Sequence, residues 1–262
     1  MPENELTNDT RTDPYVAAKT NDMRAARSSL RLQIISASGG FVAPAIALLA
    51  LFGSQVMPPR SPSDSAEMIA QFYSTNSNLK MAGLIAGFMA IGFLGPLLGA
   101  ITMQLLRIEG RRPIATFIQV ISGAVTWVFL GVPLLILFVA AFRANDRMPE
   151  MTQALHDLAW ILFLIPVAPF VVLNIAIAVV IFGDTSCRKV FPRWVAWANL
   201  LIAASFLPDL LLGFFKVGPF AYNGLLSFWI PTVTYGLWLN MMAYATVRAA
   251  RNELRAIEAR VS

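Results

Sequence analysis

The stretch PIATFIQVISGAVTWVFLGVPLLILFVAAF runs from Pro113 to Phe142 without a single charged side chain. A helix needs about 20 residues to cross the hydrocarbon core of a bilayer, and this stretch is longer than that. Its apolar residues are continuous, whereas a strand of a membrane β-barrel would alternate apolar and polar residues with a period of two. The stretch therefore predicts a transmembrane α-helix.

Five further segments of the chain resemble this stretch. Four are also free of charge, and the fifth is interrupted only by Asp209; they are Leu32 to Pro59, Met81 to Leu106, Leu158 to Gly183, Val217 to Val247, and Trp194 to Lys216. The chain is 57% hydrophobic and 13% charged, which is outside the composition of soluble domains. We expect an all-α, polytopic transmembrane bundle of six spans, at about 32–57, 81–106, 114–142, 158–182, 194–213 and 224–247.

The basic residues divide unevenly between alternate connections of this predicted bundle. Fifteen lie in the two tails and in the second-to-third and fourth-to-fifth connections, against five on the other side. Because short cytoplasmic loops are enriched in Lys and Arg, both termini are expected to be cytoplasmic. The residues before the first span are too polar for a signal peptide, so this span is expected to remain in the mature protein.

The segments outside the spans have characteristic patterns of their own. Residues 1–31 are predicted to be a largely disordered cytoplasmic tail that ends in a basic surface segment, and residues 248–262 an amphipathic cytoplasmic tail that contacts lipid or docks a partner. A short external amphipathic helix is expected at about 62–74, with Ser61 as its N-cap. We favour a packing role for this helix over a lid.

Proline and glycine recur inside the spans. Every span contains proline, which can kink a membrane helix and open a cavity, although proline is also generally common in such helices. The second span carries glycines in two pairs at the spacing that allows close helix approach: Gly83, Gly87, Gly95 and Gly99. They predict close packing, either within the chain or with a partner chain or second copy.

Several chemistries are not expected from this sequence. Cys187 is the only cysteine and His156 the only histidine, so we expect no intrachain disulfide and no metal site. The glycine-rich, nucleophile and metal motifs of soluble enzymes are missing, so no cofactor is implied. The net charge of +5 is explained by helix ends that meet anionic lipid head groups, and nucleic-acid binding is not expected.

Asp209 is the most conspicuous ionisable residue in the predicted spans. At about 1.5 Å of rise per residue it lies some 22 Å along the helix from Trp194, which is still inside a core of about 30 Å. Lys216 follows at nearly the same helical face. An ion pair between the two, a ligand or proton site at Asp209, and solvated helix ends are the three interpretations, and we favour the ion pair.

Three other polar residues are candidates for binding a ligand. His156 is predicted at the beginning of the fourth helix, as a polar anchor at the membrane interface or a pH-sensitive group. Asn240 and Tyr235 lie within the sixth span, where amides cross-link helices or line a polar passage. Together with Asp209 and Lys216, they are the predicted ligand-binding residues.

The segments VFPRWVAWANL (Val190 to Leu200) and FFKVGPFAYNGLLSFWIP (Phe214 to Pro231) resemble stretches of uncharacterised six-span bacterial inner-membrane proteins. The resemblance covers about the last third of the chain. It implies a bacterial cytoplasmic membrane and implies no activity.

Three functions are compatible with these observations. The first, which we favour, is the binding or transport of a small lipophilic molecule in an apolar, outward-opening intramembrane cavity near Asp209. The second is a non-catalytic accessory subunit that assembles through the glycine-rich span and the tails. The third is a membrane enzyme that acts on an isoprenoid-like or lipid-like substrate, with Asp209 as an acid.

Overall fold

The computed structural model describes the backbone of residues 14–259 and the side chains of residues 21–259, and its regular elements in that range are all helical. Five segments there are long and apolar enough to cross a membrane: Asn21–Gly53, Ser77–Glu109, Ile114–Phe142, Pro149–Gly183 and Arg193–Phe214. Large apolar side chains on the bundle surface face outward, such as Leu49 and Leu201, which are 79% and 74% exposed. The protein is thus a multi-pass integral membrane protein.

The helices differ in length and regularity. In chain order they are α1 Pro14–Gly53, α2 Ala66–Ser74, α3 Ser77–Ile91, α4 Leu94–Glu109, α5 Ile114–Phe142, α6 Pro149–Leu164, α7 Ala168–Gly183, α8 Arg193–Ser205, a 3-10 segment Leu207–Phe214, a π segment Leu225–Trp229, and α9 Ile230–Glu258. Only α5 has the bounds that the charge-free stretch predicts. Its first turn is capped by the Glu109 carboxylate, which accepts hydrogen bonds from the backbone N–H groups of Ala115 and Thr116 at 2.9 Å.

Three predicted spans are interrupted helices. The second divides into α3 and α4 at Gly92 and Phe93, and the fourth divides into α6 and α7 around Pro166. The fifth changes from α8 to the tighter 3-10 segment after Phe206. Proline lacks a backbone N–H and its ring clashes with the preceding turn, so the two breaks that contain or adjoin proline have an evident cause.

The helix ends also differ from the predicted bounds at several points. α1 begins at Pro14, so residues 14–31 are helical rather than disordered; residues 1–13 lie outside the described range. α2 begins after Ser65, whose hydroxyl accepts a hydrogen bond from Met68 N, and not after Ser61, which instead bonds Ser63. α9 continues to Glu258, through most of the predicted amphipathic tail.

Helix α1 packs against α3, α4 and α9. It lies antiparallel to α9, because Phe52 contacts the Trp229 ring while Gly40 lies against Leu239 and Ala243. We call the end of the bundle that holds the described beginning of α1 and the end of α9 the tail end. The opposite end, where α2 packs against α6, is the α2 end.

The predicted close approach of glycines occurs within the chain. A Cβ atom added at Gly83 would lie 2.1 Å from Ser54 Oγ and 2.7 Å from Ala50 O, so α1 and α3 are in contact there. Gly87 faces Leu51 in the same interface, while Gly99 has open space around it. Contact with a partner through these glycines stays a prediction.

Polar side chains link the helices at the tail end. Gln104 Nε2 donates a hydrogen bond to Gln33 Oε1 at 2.7 Å, which joins α4 to α1. Arg107 forms an ion pair with Glu253 at 3.0 Å, which joins α4 to α9. Among the described residues, buried apolar side chains form two clusters: a tail-end cluster around Leu97 and Trp238, and an α2-end cluster around Tyr73 and Trp160.

Candidate functional site

A cavity of about 180 Å³ lies between the two clusters, and we call it the central cavity. Residues from seven of the α-helices, from the 3-10 segment and from the segments that join helices line it. They include Pro44, Leu48, Leu51, Ala90, Leu94, Leu134, Leu164, Pro166, Val167, Phe206, Asp209, Pro231, Tyr235 and Gly236. The lining is almost entirely apolar, which is the usual character of a small-molecule site.

The helix interruptions explain why there is a cavity at this depth. Leu94 begins α4 after the first break, and Pro166 lies in the second. Phe206 precedes the 3-10 segment, and Pro231 follows the π segment. Regular helices pack side chains as ridges into grooves, and this pattern fails where a helix changes its path. Because these three interruptions and the beginning of α9 line one cavity, the spaces that they leave unfilled combine.

Asp209 is the ionisable side chain that lines the central cavity. It is 1% exposed, and neither of its carboxylate oxygens has a hydrogen-bond partner among the described residues. Its backbone N–H donates to Phe206 O at 3.2 Å, so the 3-10 segment holds the residue in place. Buried polar groups nearly always have partners, and an orphaned one therefore requires an explanation. An acceptor aimed into an apolar cavity is suited to a ligand with one donor group.

Lys216 is not the partner of Asp209, and the favoured interpretation of an ion pair between them is wrong. The 3-10 segment ends at Phe214, and Phe215 has extended backbone, so the chain leaves the helix before Lys216. The lysine lies on the bundle surface, exposed. In an unbroken helix the two residues would lie about 10 Å apart along the axis, so the expected pair required the helix to end or bend near Gly213 and Gly218 and bring them closer. The helix does end there, but the chain that follows places Lys216 on the surface and not beside Asp209.

Tyr235 lines the same cavity as Asp209. Its ring packs against Phe170 and Trp238, with centroids 5.2 Å and 5.9 Å away. Thr126 and Thr232 also contribute to the lining. The Thr232 position is one turn from Gly236 on α9, and a Cβ atom added at Gly236 would meet nothing within 4 Å. The prediction thus identified one aromatic neighbour of Asp209 and missed the glycine that leaves space beside it.

His156 lies elsewhere, in the α2-end cluster. α6 begins at Pro149, so His156 is in the second turn of the helix and 1% exposed, and the prediction of an interfacial anchor at the helix start is wrong. Its Nδ1 is 2.7 Å from the Tyr73 hydroxyl, in a hydrogen bond that joins α6 to α2. The Trp160 and Tyr222 rings pack edge-on against it at 6.2 Å and 5.8 Å.

Two tyrosines of this cluster were not predicted to have polar roles. The Tyr222 hydroxyl donates to Asp157 Oδ1 at 2.8 Å, and the Tyr73 hydroxyl pairs with His156. Burial, and after it the negative charge of Asp157, raises the pKa of both Tyr73 and Tyr222 above the usual range. The apolar face of α2 was visible in the sequence, but the partner of its tyrosine was not.

Asn240 does not face the central cavity. It lines a groove on the bundle surface between α8 and α9, and its Nδ2 donates to Gly236 O at 2.8 Å on its own helix. By contrast, Asn199 links neighbouring helices, since its Oδ1 accepts a hydrogen bond from Trp238 Nε1 at 3.0 Å. Of the five predicted ligand-binding residues, the fold brings together only Asp209 and Tyr235.

No three His, Cys, Asp or Glu side chains in the described part of the chain lie close enough together to hold a metal ion. What the central cavity offers chemically is an apolar volume with one aspartate and one tyrosine among its lining residues. Comparison of the chain with protein-family models, with curated proteins and with solved structures finds no match.

Proposed function

We propose that this protein binds a small lipophilic molecule in the central cavity, with Asp209 as its polar contact. The observation that carries the proposal is the buried Asp209 carboxyl group, which has no described partner and lines an apolar cavity. A carboxylate offers two acceptor oxygens. The ligand that fits is an apolar molecule with one hydroxyl or amine group.

The size of the cavity limits the part of the ligand that it can enclose. An apolar cavity of roughly 150 Å³ holds a benzene molecule, and the central cavity measures about 180 Å³. A single-ring compound, or the end of a longer lipophilic chain, fits this volume. Leu48 is 48% exposed and lines the cavity, which supports a mouth on the lipid-facing surface. Leu51, Leu134 and Leu164, which line the cavity toward the α2 end, are buried in the α2-end cluster, so we propose lateral entry in place of an outward opening.

The proposal includes a sixth crossing formed by the π segment and α9. This segment is less apolar than the five candidate spans, since it carries Thr232, Thr234 and Asn240. Its support is that α9 lies antiparallel along α1, from the Phe52–Trp229 contact to Gly40 and Ala243. Six crossings, with the basic residues concentrated at the tail end, support two cytoplasmic termini. A bacterial inner membrane rests on the sequence resemblance alone.

Native mass spectrometry of the protein extracted in mild detergent tests the proposal. The wild-type protein is expected to carry a bound small molecule of defined mass. Gly236→Leu places a side chain in open space inside the cavity and should remove that molecule. Gly99→Leu is the matched control, because Gly99 also has open space around it but does not line the cavity.

Asp209→Leu tests the polar contact between the ligand and Asp209 separately from the volume of the central cavity. A hydrogen bond contributes about 0.5–1.5 kcal/mol, so bound ligand should decrease about 2-fold to 10-fold. Retention of the same molecule by both Asp209→Leu and Gly236→Leu would contradict the proposal. So would a wild-type protein that carries no small molecule but a stoichiometric partner chain, which would favour the accessory-subunit hypothesis.

A further inference from the structure

One face of α9 changes from apolar to basic along its length. Thr234, Leu237, Met241 and Tyr244 recur at intervals of three and four residues, and Arg248, Arg251 and Arg255 continue the same spacing. Residues at these intervals share one side of a helix. The face therefore presents a long apolar strip that ends in three arginines at the tail end.

The apolar part of this face forms a groove with α8. The groove has a volume of about 900 Å³ and is lined by Trp194, Leu201, Thr234, Leu237, Met241 and Tyr244, among others. From Thr234 to Tyr244 it extends about 15 Å at the rise of an α-helix. This is about half of a hydrocarbon core of roughly 30 Å, which is the depth of one leaflet.

A basic cavity continues the groove at the tail end. It measures about 380 Å³ and is lined by Tyr244, Arg248, Arg251, Asn252 and Arg255, with Val247. Tyr244 lines both spaces, so they meet at that residue. The only ion pairs in the described part of the chain are those of Arg60 and Arg107, so these three arginines have no carboxylate partner there.

Trp194 and Tyr244 indicate where the membrane interface lies. Trp194 is 50% exposed at the first turn of α8, and Tyr244 is 52% exposed across the groove from it. Tryptophan and tyrosine are enriched at the level of lipid head groups. The arginines are therefore at or just beyond the head-group level, and the apolar groove extends from there into the membrane.

We propose that the groove between α8 and α9 is a binding site for one anionic phospholipid. An acyl chain lies in the groove, and the phosphate lies among Arg248, Arg251 and Arg255. Charge complementarity selects the occupant, because three unpaired arginines favour a phosphate that carries net negative charge over a zwitterionic head group. This site is separate from the central cavity and does not depend on its function.

Competition between two lipids tests the site. The full-length protein is delipidated in detergent, mixed with equal amounts of phosphatidylglycerol and phosphatidylcholine with identical acyl chains, and measured by native mass spectrometry. The wild-type protein should retain one phosphatidylglycerol in preference. At about 1 kcal/mol for each basic residue near anionic lipid, each Arg→Gln change should lower the preference about fivefold, and the triple variant Arg248→Gln, Arg251→Gln, Arg255→Gln about a hundredfold.

Two further variants distinguish a specific lipid site from general electrostatic attraction between basic residues and anionic lipid. The control Arg24→Gln, Arg111→Gln, Arg112→Gln removes the same charge from exposed residues outside the site and should leave the preference unchanged. Leu237→Trp fills the apolar groove and should weaken retention of both lipids alike.

Four results would overturn the proposal. They are an unchanged preference in the triple arginine variant, an equal loss in the control, displacement of the lipid by millimolar glycerol phosphate, and a bound polypeptide that Leu237→Trp releases. The third would indicate a site for free phosphate, and the fourth a groove for a partner helix.

Discussion

Asp209 and His156 are both buried ionisable side chains, each 1% exposed, but their surroundings differ. His156 shares one hydrogen bond, from Nδ1 to Tyr73, and is enclosed by aromatic rings in the α2-end cluster, while its Nε2 has no partner among the described residues. Asp209 has no described hydrogen-bond partner for its carboxylate and lies beside empty volume. A polar group that is bonded and packed stabilises a fold, while one left unpaired beside a cavity destabilises it. Ligand binding explains the second arrangement, in which Asp209 lies unpaired beside the central cavity.

The largest expected effect on the free energy of unfolding comes from the α2-end cluster around His156. Trp160→Ala removes a ring that contacts His156, Phe163 and Phe228, and it should lower the free energy of unfolding by about 3–5 kcal/mol. Unfolding by sodium dodecyl sulfate in mixed micelles measures this change. Trp197→Ala is the control: Trp197 is 64% exposed, and its removal should change the free energy by less than about 1 kcal/mol. Equal losses would mean that the cluster is not a packed core.

At the central cavity, a substitution is expected to raise the free energy of unfolding. Asp209→Leu replaces an unpaired buried carboxyl group with an apolar side chain of similar size, and it should raise the free energy of unfolding by about 1–3 kcal/mol. Asp209→Asn should give a smaller gain, because the amide remains a buried polar group without a partner. The same unfolding measurement applies. Because a bound ligand would itself stabilise the wild-type protein, the comparison is made on ligand-free protein. A loss of stability in Asp209→Leu under that condition would mean that the carboxyl group has a structural partner in the membrane.

A smaller loss is expected when one hydrogen bond of the α2-end cluster is removed. Tyr73→Phe keeps the ring and leaves His156 Nδ1 without its partner, so the free energy of unfolding should decrease by about 1–2 kcal/mol. Tyr244→Phe is the matched control, since Tyr244 is exposed and its hydroxyl has no hydrogen bond to a described residue. If both variants behaved alike, the bond between Tyr73 and His156 would contribute nothing measurable.

The smallest expected effect is a dependence on alkaline pH. The pKa of Tyr73 and of Tyr222 is raised in the folded protein, first by burial and then by Asp157, so the folded state holds these protons after the unfolded state has released them. Their contribution is complete below the unfolded pKa of about 10 and is lost as the pH rises above it. At pH 10 the loss is about 0.4 kcal/mol per tyrosine. The double variant Tyr73→Phe, Tyr222→Phe should show a flatter decline of stability between pH 9 and 10, and an identical decline would refute the assignment.

The two regions were not equally predictable from the sequence. Asp209 was visible because a charged residue interrupts an apolar run, and Tyr235 because it lies in the next apolar run of the chain. The pairing of His156 with Tyr73 was not visible, since the two residues are 83 positions apart and meet only when α2 packs against α6. The predictions for Lys216 and for the start of α6 were wrong for a common reason. A charge-free run indicates which part of the chain lies in lipid, but it does not indicate at which residue a helix begins or ends.

The sequence by itself determined that this chain is a helical membrane protein. In lipid a continuous apolar run must satisfy its backbone hydrogen bonds internally, and the helix does so whatever surrounds it. Only the tertiary structure decided where the central cavity lies and that Asp209 lines it. Pro44 lies inside α1, Pro166 lies in the break between α6 and α7, and Pro231 lies in the first turn of α9, and only the packing of these helices brings the three prolines together with Asp209 around one cavity. Helices form from local hydrogen bonds, whereas an unfilled space depends on which helices are neighbours.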